Sequence, residues 1–205
     1  MIAEKTQTQR HRFFDTATGT WTVKVYPGEF HVTTKSDERL VTVLGSCVAA
    51  CIRDPETGYG GMNHFMLPED EVGKWGEDMM STRYGNHAME KLVNEMIKLG
   101  CPRSRMEVKV FGGGNVIDSQ HEIGSKNSDF ILRYLEAEGL KCAAQDLKGD
   151  YPRRIEYCPA TGKVVRRILG RTDSEPIVRE ETEYATSLSK TRKVAGEVEL
   201  FGDFK

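Results

Sequence analysis

The segment over residues 44–68 constrains the fold most, because its sequence predicts two strands joined by a tight turn. A Gly-Ser pair precedes Cys47, and a run of small and apolar residues follows it. The turn sequence Asp-Pro-Glu-Thr-Gly contains a proline that presets φ and a glycine that tolerates positive φ. The second strand leads into His64. In an antiparallel hairpin the two strands lie side by side, so we expect Cys47 and His64 to come within reach of each other.

The residues around Cys47 and His64 indicate nucleophilic chemistry. At Gly45-Ser46 the backbone can turn and expose N–H groups, which are the donors that a thiolate or a developing oxyanion needs. His64 would take the thiol proton, and Asn63 would orient a carbonyl group or cap a turn. The competing interpretation is packing, since most buried thiols act as small apolar groups and many histidines are satisfied by backbone bonds.

Cys47, Cys51 and His64 are also residues of the types that bind zinc. Cysteine ligands of zinc usually lie two to four residues apart on a tight turn, whereas the residues between these two cysteines are strand-like. An extended strand would place the two sulfur atoms about 13 Å apart at ~3.3 Å per residue. We therefore predict that no metal is bound, and that Cys51 packs in the core.

Composition excludes several classes of protein. The 205 residues, 38% of them hydrophobic, suffice for one domain with a single core. Lys and Arg number 29 against 31 Asp and Glu, so no overall basic field attracts nucleic acid or anionic lipid. No apolar run is long enough to span a bilayer or to form a secretory signal, and five cysteines without framework spacing suit a reducing compartment. We expect a cytoplasmic protein that does not bind nucleic acid and is not inserted in a membrane.

The order of the elements predicts a single-domain α+β fold, a layered α/β sandwich of mostly antiparallel and mixed strands with two main helices. Alternating apolar residues predict strands from Trp21 onward. Helical spacing of apolar residues predicts helices over residues 88–97 and 123–135, each followed by a glycine stop signal. Ser125 or Asn127 is the expected N-cap of the second helix.

Composition also divides the chain into three parts. Residues 1–20 are polar and are expected to form a flexible leader, and residues 21–170 carry the folded domain. Residues 171–205 form a polar C-terminal extension, either a loosely ordered tail or an extra helix around residues 179–193. The acidic segment over residues 69–81 is expected to be a surface loop.

Three consecutive glycines, Gly112, Gly113 and Gly114, follow a predicted strand. They lack the Lys-Ser/Thr of a phosphate-binding P-loop and the spacing of a dinucleotide fingerprint, so no nucleotide cofactor is expected. A glycine run of this kind indicates that the backbone closely approaches another group, since no side chain stands in the way. Another backbone and a substrate chain are both consistent with it.

Several of these motifs occur together in one known family. The longest are LGSCVAACIRDP at residues 44–55 and GGMNHFMLP at residues 60–68, and shorter ones are RYG at 83–85 and FGGG at 111–114. The sequence resembles the CheD family, the chemoreceptor glutamine deamidases. The resemblance extends over roughly residues 21–170.

The resemblance implies a compact α/β sandwich of the kind shared with deamidating bacterial toxins, and an enzyme that needs no cofactor. Such an enzyme converts glutamine side chains of methyl-accepting chemoreceptors to glutamate through a thioester. By motif, Cys47 resembles the nucleophile, His64 the base, and Thr42 the third catalytic residue on the strand before the Gly-Ser-Cys turn. The residues expected to contact substrate are Ser46, Asn63, Gly112, Gly113 and Gly114.

Two other functions are consistent with the residues. The protein could be a non-catalytic adaptor that binds receptors or a chemotaxis phosphatase of the CheC type, or a cysteine protease, for which no peptide-binding signature is seen. Thiol reactivity distinguishes an enzyme from an adaptor, because a catalytic Cys47 is expected to react with iodoacetamide near neutral pH before the other four cysteines.

Overall fold

A computed structural model describes residues 11–68, 78–116, 121–170 and 174–194 of the chain. These residues form ten strands, three α-helices and a short 3-10 turn at Arg103–Arg105. The strands are β1 Arg12–Asp15, β2 Thr20–Lys24, β3 Phe30–Thr33, β4 Glu38–Leu44, β5 Val48–Arg53, β6 Gly60–Asn63, β7 Glu107–Gly112, β8 Lys141–Leu147, β9 Arg153–Cys158 and β10 Lys163–Ile168. The helices are α1 Asp78–Lys98, α2 His121–Ala137 and α3 Ser174–Val194.

The strands form two mixed five-stranded sheets. The first sheet has the order β1-β2-β4-β9-β10, and the second has the order β3-β6-β5-β7-β8. Pairing is antiparallel except between β2 and β4 and between β7 and β8. The predicted α+β class with mixed sheets is confirmed. Besides the two main helices that were predicted, the described residues include α3, the extra terminal helix that was one of two alternatives for the C-terminal extension.

Strand β5 lies between two hydrophobic cores, because successive side chains of a strand point to opposite faces. Val48, Ala50 and Ile52 pack into the core that the second sheet shares with α1 and α2. Ala49 and Cys51 face the other way, into the core between the two sheets. The strand is buried on both faces and is therefore almost wholly apolar. The prediction that Cys51 packs in the core is confirmed.

The predicted hairpin over residues 44–68 is present in the second sheet. β5 pairs antiparallel with β6, and Gly58 in the turn between them has φ +71°. The strand before this hairpin, β4, belongs to the first sheet. Residues 45–47 therefore carry the chain from one sheet to the other, and Cys47 is placed at that crossing.

Ordered structure begins earlier than the sequence predicted. β1 lies inside the expected leader and pairs with β2, although residues 1–10 are outside the described residues. Of the expected acidic loop, residues 69–77 are likewise outside the described part, and α1 begins at Asp78. The extra terminal helix is α3, which begins earlier than the predicted residues 179–193. None of the helices in the described part of the chain is long and apolar enough to cross a membrane.

Gly113 and Gly139 allow a matched test of how tightly the backbone after β7 packs against helix α2. Their φ angles are +62° and +63°. A Cβ on Gly113 would lie 1.9 Å from Ser128 Oγ, whereas a Cβ on Gly139 would meet nothing within 4 Å. Gly139→Ala should lower the free energy of unfolding by about 1–2 kcal/mol, the cost of a left-handed residue. Gly113→Ala should lower it by a further ~1–3 kcal/mol through overpacking. Urea denaturation of both variants measures the difference, and equal losses would contradict the tight packing.

Candidate active site

The two sheets bring Thr42 and His64 together. Thr42 lies on β4 of the first sheet, and His64 directly follows β6 of the second. Thr42 Oγ1 is 2.8 Å from His64 Nδ1 and donates to the Val25 carbonyl oxygen at 2.7 Å. A hydroxyl group has one hydrogen, and Val25 takes it, so Nδ1 must be the donor to Thr42. The geometry therefore assigns the proton of a neutral His64 to Nδ1 and leaves a lone pair on Nε2.

His64 is held as a neutral base. Its backbone N–H donates to the Glu29 carbonyl oxygen at 3.0 Å, and its carbonyl oxygen accepts from Gly28 at 2.8 Å. Nε2 is buried and has no hydrogen-bond partner among the described residues. Burial lowers the pKa of His64 to about 4, against the opposing effect of the Glu181 carboxylate. At neutral pH the ring is therefore uncharged and Nε2 can accept a proton.

All three backbone carbonyl groups of the turn at residues 45–47 accept hydrogen bonds from the glycine run after β7 or from helix α2. Gly113 N–H donates to the Cys47 oxygen and Gly114 N–H to the Gly45 oxygen, each at 2.7 Å. The side chain of Asn127 donates to the Ser46 oxygen at 2.8 Å. With the carbonyl groups held in this way, the N–H groups of the three turn residues converge on a single point. Converging N–H groups form a site for an anion.

The side chain of Glu181, from helix α3, occupies this anion site. Its Oε1 accepts from the N–H groups of Gly45 at 2.8 Å and Cys47 at 3.1 Å. Its Oε2 accepts from the N–H of Ser46 at 2.8 Å and from Ser46 Oγ at 2.7 Å. A Cβ on Gly45 would lie 2.8 Å from Oε2, so the glycine leaves room for the carboxylate. Glu181 is 1% exposed, and these four bonds stabilise its buried charge.

The thiol of Cys47 is fully buried beside this carboxylate. Cys47 Sγ, a ring nitrogen of His64 and an oxygen of Glu181 all lie within 4.8 Å of one another. Burial raises the pKa of Cys47 well above its usual value, and the negative charge of Glu181 raises it further. With Glu181 in place, the pair is therefore a neutral thiol and a neutral imidazole. This arrangement disfavours the fast alkylation of Cys47 that the sequence predicted.

The same three residues are of types that bind metals, but Cys51 is not among them. Cys51 was one of the candidate zinc ligands in the sequence analysis. Its side chain packs instead in the core between the two sheets. Both oxygens of Glu181 already accept hydrogen bonds from the turn. The carboxylate is therefore bound there as an anion on N–H groups. The sequence-based expectation that the site works without a metal stays a prediction.

The other predicted substrate-binding residues lie close to the site and have structural contacts. Ser46 touches the Glu181 carboxylate through both its N–H and its hydroxyl group. Asn63 accepts from Ala50 N–H at 2.9 Å and donates to the Ala88 carbonyl oxygen at 3.2 Å, which links β5 and β6 to α1. Gly112, Gly113 and Gly114 pack against the turn, so the close approach that their sequence indicated is to another backbone. Direct contact of these residues with substrate stays a prediction.

Sequence reasoning missed two residues of the site. Asn127 was expected as an N-cap of α2, but that helix begins at His121, so the prediction was wrong and its side chain reaches the turn instead. Glu181 lies 134 residues after Cys47, in a segment whose polar composition predicted few contacts. The signal that could have found it is the spacing of Ile177, Glu181 and Tyr184, which places all three on one helix face.

A buried thiol, an imidazole with a free Nε2 and a set of backbone N–H groups at an anion site form the arrangement that cysteine-dependent acyl-transfer enzymes use. Comparison with known proteins is consistent with that class. Residues 66–168 match the family model described as CheD chemotactic sensory transduction. The chain belongs to the CheD family.

Relatives match along most of the chain, and two of them are both named "Probable chemoreceptor glutamine deamidase CheD". The protein from Rhodopseudomonas palustris is 53% identical over 87% of this chain and 84% of its own length. The protein from Hahella chejuensis is 48% identical over 93% of this chain and 90% of its own length. A solved structure, the hypothetical protein YfiH of Bacillus licheniformis, matches 60% of this chain and 50% of its own at 13% identity, with a TM-score of 0.38.

The contact between Thr42 and His64 can be tested directly. Thr42→Val removes the acceptor of the Nδ1 proton, so the ring should populate the tautomer protonated at Nε2 as well. Thr42→Ser keeps the hydroxyl group and should keep the proton on Nδ1. Nitrogen-15 NMR of the His64 ring distinguishes the tautomers. An unchanged spectrum in Thr42→Val would contradict the assignment.

Proposed function

We propose that this protein hydrolyses the side-chain amide of glutamine residues in methyl-accepting chemoreceptors, giving glutamate and ammonia. The observation that carries the proposal is the carboxylate of Glu181 at the anion site beside Cys47. A glutamate carboxylate is the product of glutamine deamidation, so the site fits the group that the reaction leaves behind. The relatives' names supply the receptor as the substrate.

The first half of the reaction forms a thioester. A substrate glutamine would place its carbonyl oxygen on the N–H groups of the turn, where Glu181 Oε1 now lies at 2.8 and 3.1 Å from its donors. His64 Nε2 takes the proton of Cys47, and the sulfur attacks the amide carbon. The negative charge on oxygen is stabilised by the N–H groups. The C–N bond then breaks, and the nitrogen leaves as ammonia with the proton from His64.

The second half hydrolyses the thioester. His64 Nε2 takes a proton from water, and the oxygen attacks the thioester carbon. The C–S bond breaks, and the sulfur recovers its proton from His64. The carboxylic acid that forms loses its remaining proton to solvent, so a glutamate carboxylate remains on the turn. Throughout, Thr42 accepts from Nδ1 and so keeps Nε2 directed to the reacting atoms and stabilises the imidazolium ion. In both halves of the reaction, His64 transfers the protons and Cys47 carries the covalent intermediate.

The proposal has two further parts, a location in the cell and a second partner. We place the protein in the cytoplasm, in keeping with its five unpaired cysteines. We also propose a chemotaxis phosphatase of the CheC type as a binding partner, in addition to the receptors. A purely adaptor role is the alternative, and it would not require the chemistry of Cys47.

Substitution of Cys47 and of His64 tests the proposal. Cys47→Ala and His64→Ala should each reduce ammonia release from receptor fragments by at least about a thousandfold, because each removes a reacting group. Mass spectrometry of receptor peptides identifies the glutamines that become glutamate. Cys101→Ala is the matched control, since it removes another buried thiol from the core that the second sheet shares with α1 and α2, away from the site, and it should retain activity. Full activity in a folded Cys47→Ala variant would falsify the proposal, and receptor binding without activity in any variant would favour the adaptor role.

A further inference from the structure

Helix α3 contacts the site through one face. Ile177 is 7% exposed and Glu181 1% exposed, and Tyr184 and Ala185 pack against the core between the sheets. Positions i, i+4, i+7 and i+8 lie on the same side of a helix. Glu183, between these positions, has a side chain that is 74% exposed. The helix is therefore held by one apolar face with a single carboxylate in the middle of it.

A second contact fixes the end of this face. Tyr184 Oη lies 2.5 Å from Tyr84 Oη on helix α1. The ring of Tyr184 also covers Gly28, where a Cβ would lie 2.8 Å from Tyr184 Oη. Gly28 donates its N–H to the carbonyl oxygen of His64. The aromatic side chain of α3 therefore rests on the backbone that holds the base.

The position of Glu181 is the one that a reacting glutamine would take. Its carboxylate carbon is bonded to two oxygens that the turn residues bind, and the Cys47 sulfur and His64 ring are within 4.8 Å of these groups. The side chain is delivered from a helix, and it ends in the group that deamidation produces. Glu181 thus has both the chemistry and the placement of a bound product.

We propose that α3 is a built-in product-like ligand, and that the groove it fills is the surface that binds a receptor helix during deamidation. The proposal rests on the proposed function of the site. A ligand on the same chain binds intramolecularly, so it competes at an effective concentration that can reach the millimolar range. A receptor helix must therefore displace α3 before Cys47 can react.

The contacts of α3 also describe the helix that would replace it. The target glutamine should follow an apolar residue by four positions, as Glu181 follows Ile177. It should precede an aromatic residue by three positions, as Glu181 precedes Tyr184. Glu180 lines a cavity together with Lys24 and Arg154, so an acidic residue directly before the glutamine would be favoured.

A single substitution turns the proposed ligand into a substrate. Glu181→Gln places an amide on the turn, and Cys47 should attack its carbon, release ammonia and leave glutamate at position 181 after hydrolysis of the thioester. Tandem mass spectrometry of the peptide over residues 180–190 measures the conversion in the purified full-length chain. Glu183→Gln is the matched control, because its exposed side chain on the same helix should stay glutamine. The double variant Cys47→Ala with Glu181→Gln should also stay unconverted.

The outcomes distinguish this proposal from the proposed function. Conversion at position 181 that depends on Cys47 and does not occur at position 183 supports the product-like ligand. If glutamine at 181 persists in a protein that deamidates receptor fragments, the proposal for α3 is overturned and the function stands. If neither glutamine 181 nor the receptor is converted, the proposed function itself fails.

Glu181→Ala provides a second measurement that does not depend on self-reaction. Loss of the carboxylate should lower the apparent KM for receptor fragments by about tenfold, equivalent to ~1.4 kcal/mol, without lowering kcat. Cys47 should also become alkylated by iodoacetamide before the exposed Cys142, whereas the unsubstituted chain should react first at Cys142. Glu183→Ala should change neither result. A Glu181→Ala variant that loses activity while remaining folded would make Glu181 a required group of the reaction and would overturn the proposal.

Discussion

The backbone turn at residues 45–47 is the feature on which the site depends. Its three carbonyl groups are bound by Gly113, Gly114 and Asn127, so its three N–H groups have one common direction. Peptide groups held in this way are fixed dipoles, which stabilise a negative charge without having to reorganise when the charge develops. The same turn carries the thiol. Anion binding and nucleophile are therefore placed by one short segment, and a change in its support alters both.

The turn gains its position from the crossing between the two sheets. β4 ends in the first sheet and β5 begins in the second, and Thr42 comes from one while His64 follows a strand of the other. Packing of one sheet on the other is therefore what aligns Thr42, His64 and Cys47. The core between the sheets, to which Ala49 and Cys51 contribute, has a direct role in catalytic geometry under the proposed function. Loosening of this core should disturb the contact between Thr42 and His64 before it unfolds the protein.

The parts of the site that were predicted from sequence are those encoded locally. The hairpin that carries His64 was predicted from strand composition and a five-residue turn, and its pairing is confirmed. Thr42 was assigned only by family resemblance, because its partner lies on the other sheet and no local pattern reports such a contact. Asn127 was misassigned to a cap since a tertiary bond to Ser46 outweighs its local preference. Glu181 was missed altogether, since composition describes a polar segment and does not show which of its glutamates is buried.

Charge balance connects the two proposals. With the carboxylate of Glu181 on the turn, a thiolate on Cys47 would put two negative charges close together in a buried site, and this is one reason why the pKa of the thiol is raised. A substrate glutamine is neutral, so its entry in place of Glu181 would remove that repulsion while leaving the N–H donors free for the oxyanion. The nucleophile would then ionise more readily only when a substrate helix had displaced α3. Displacement of α3 and activation of the thiol would thus be a single event, driven by exchange of a charged side chain for a neutral one on the same N–H groups.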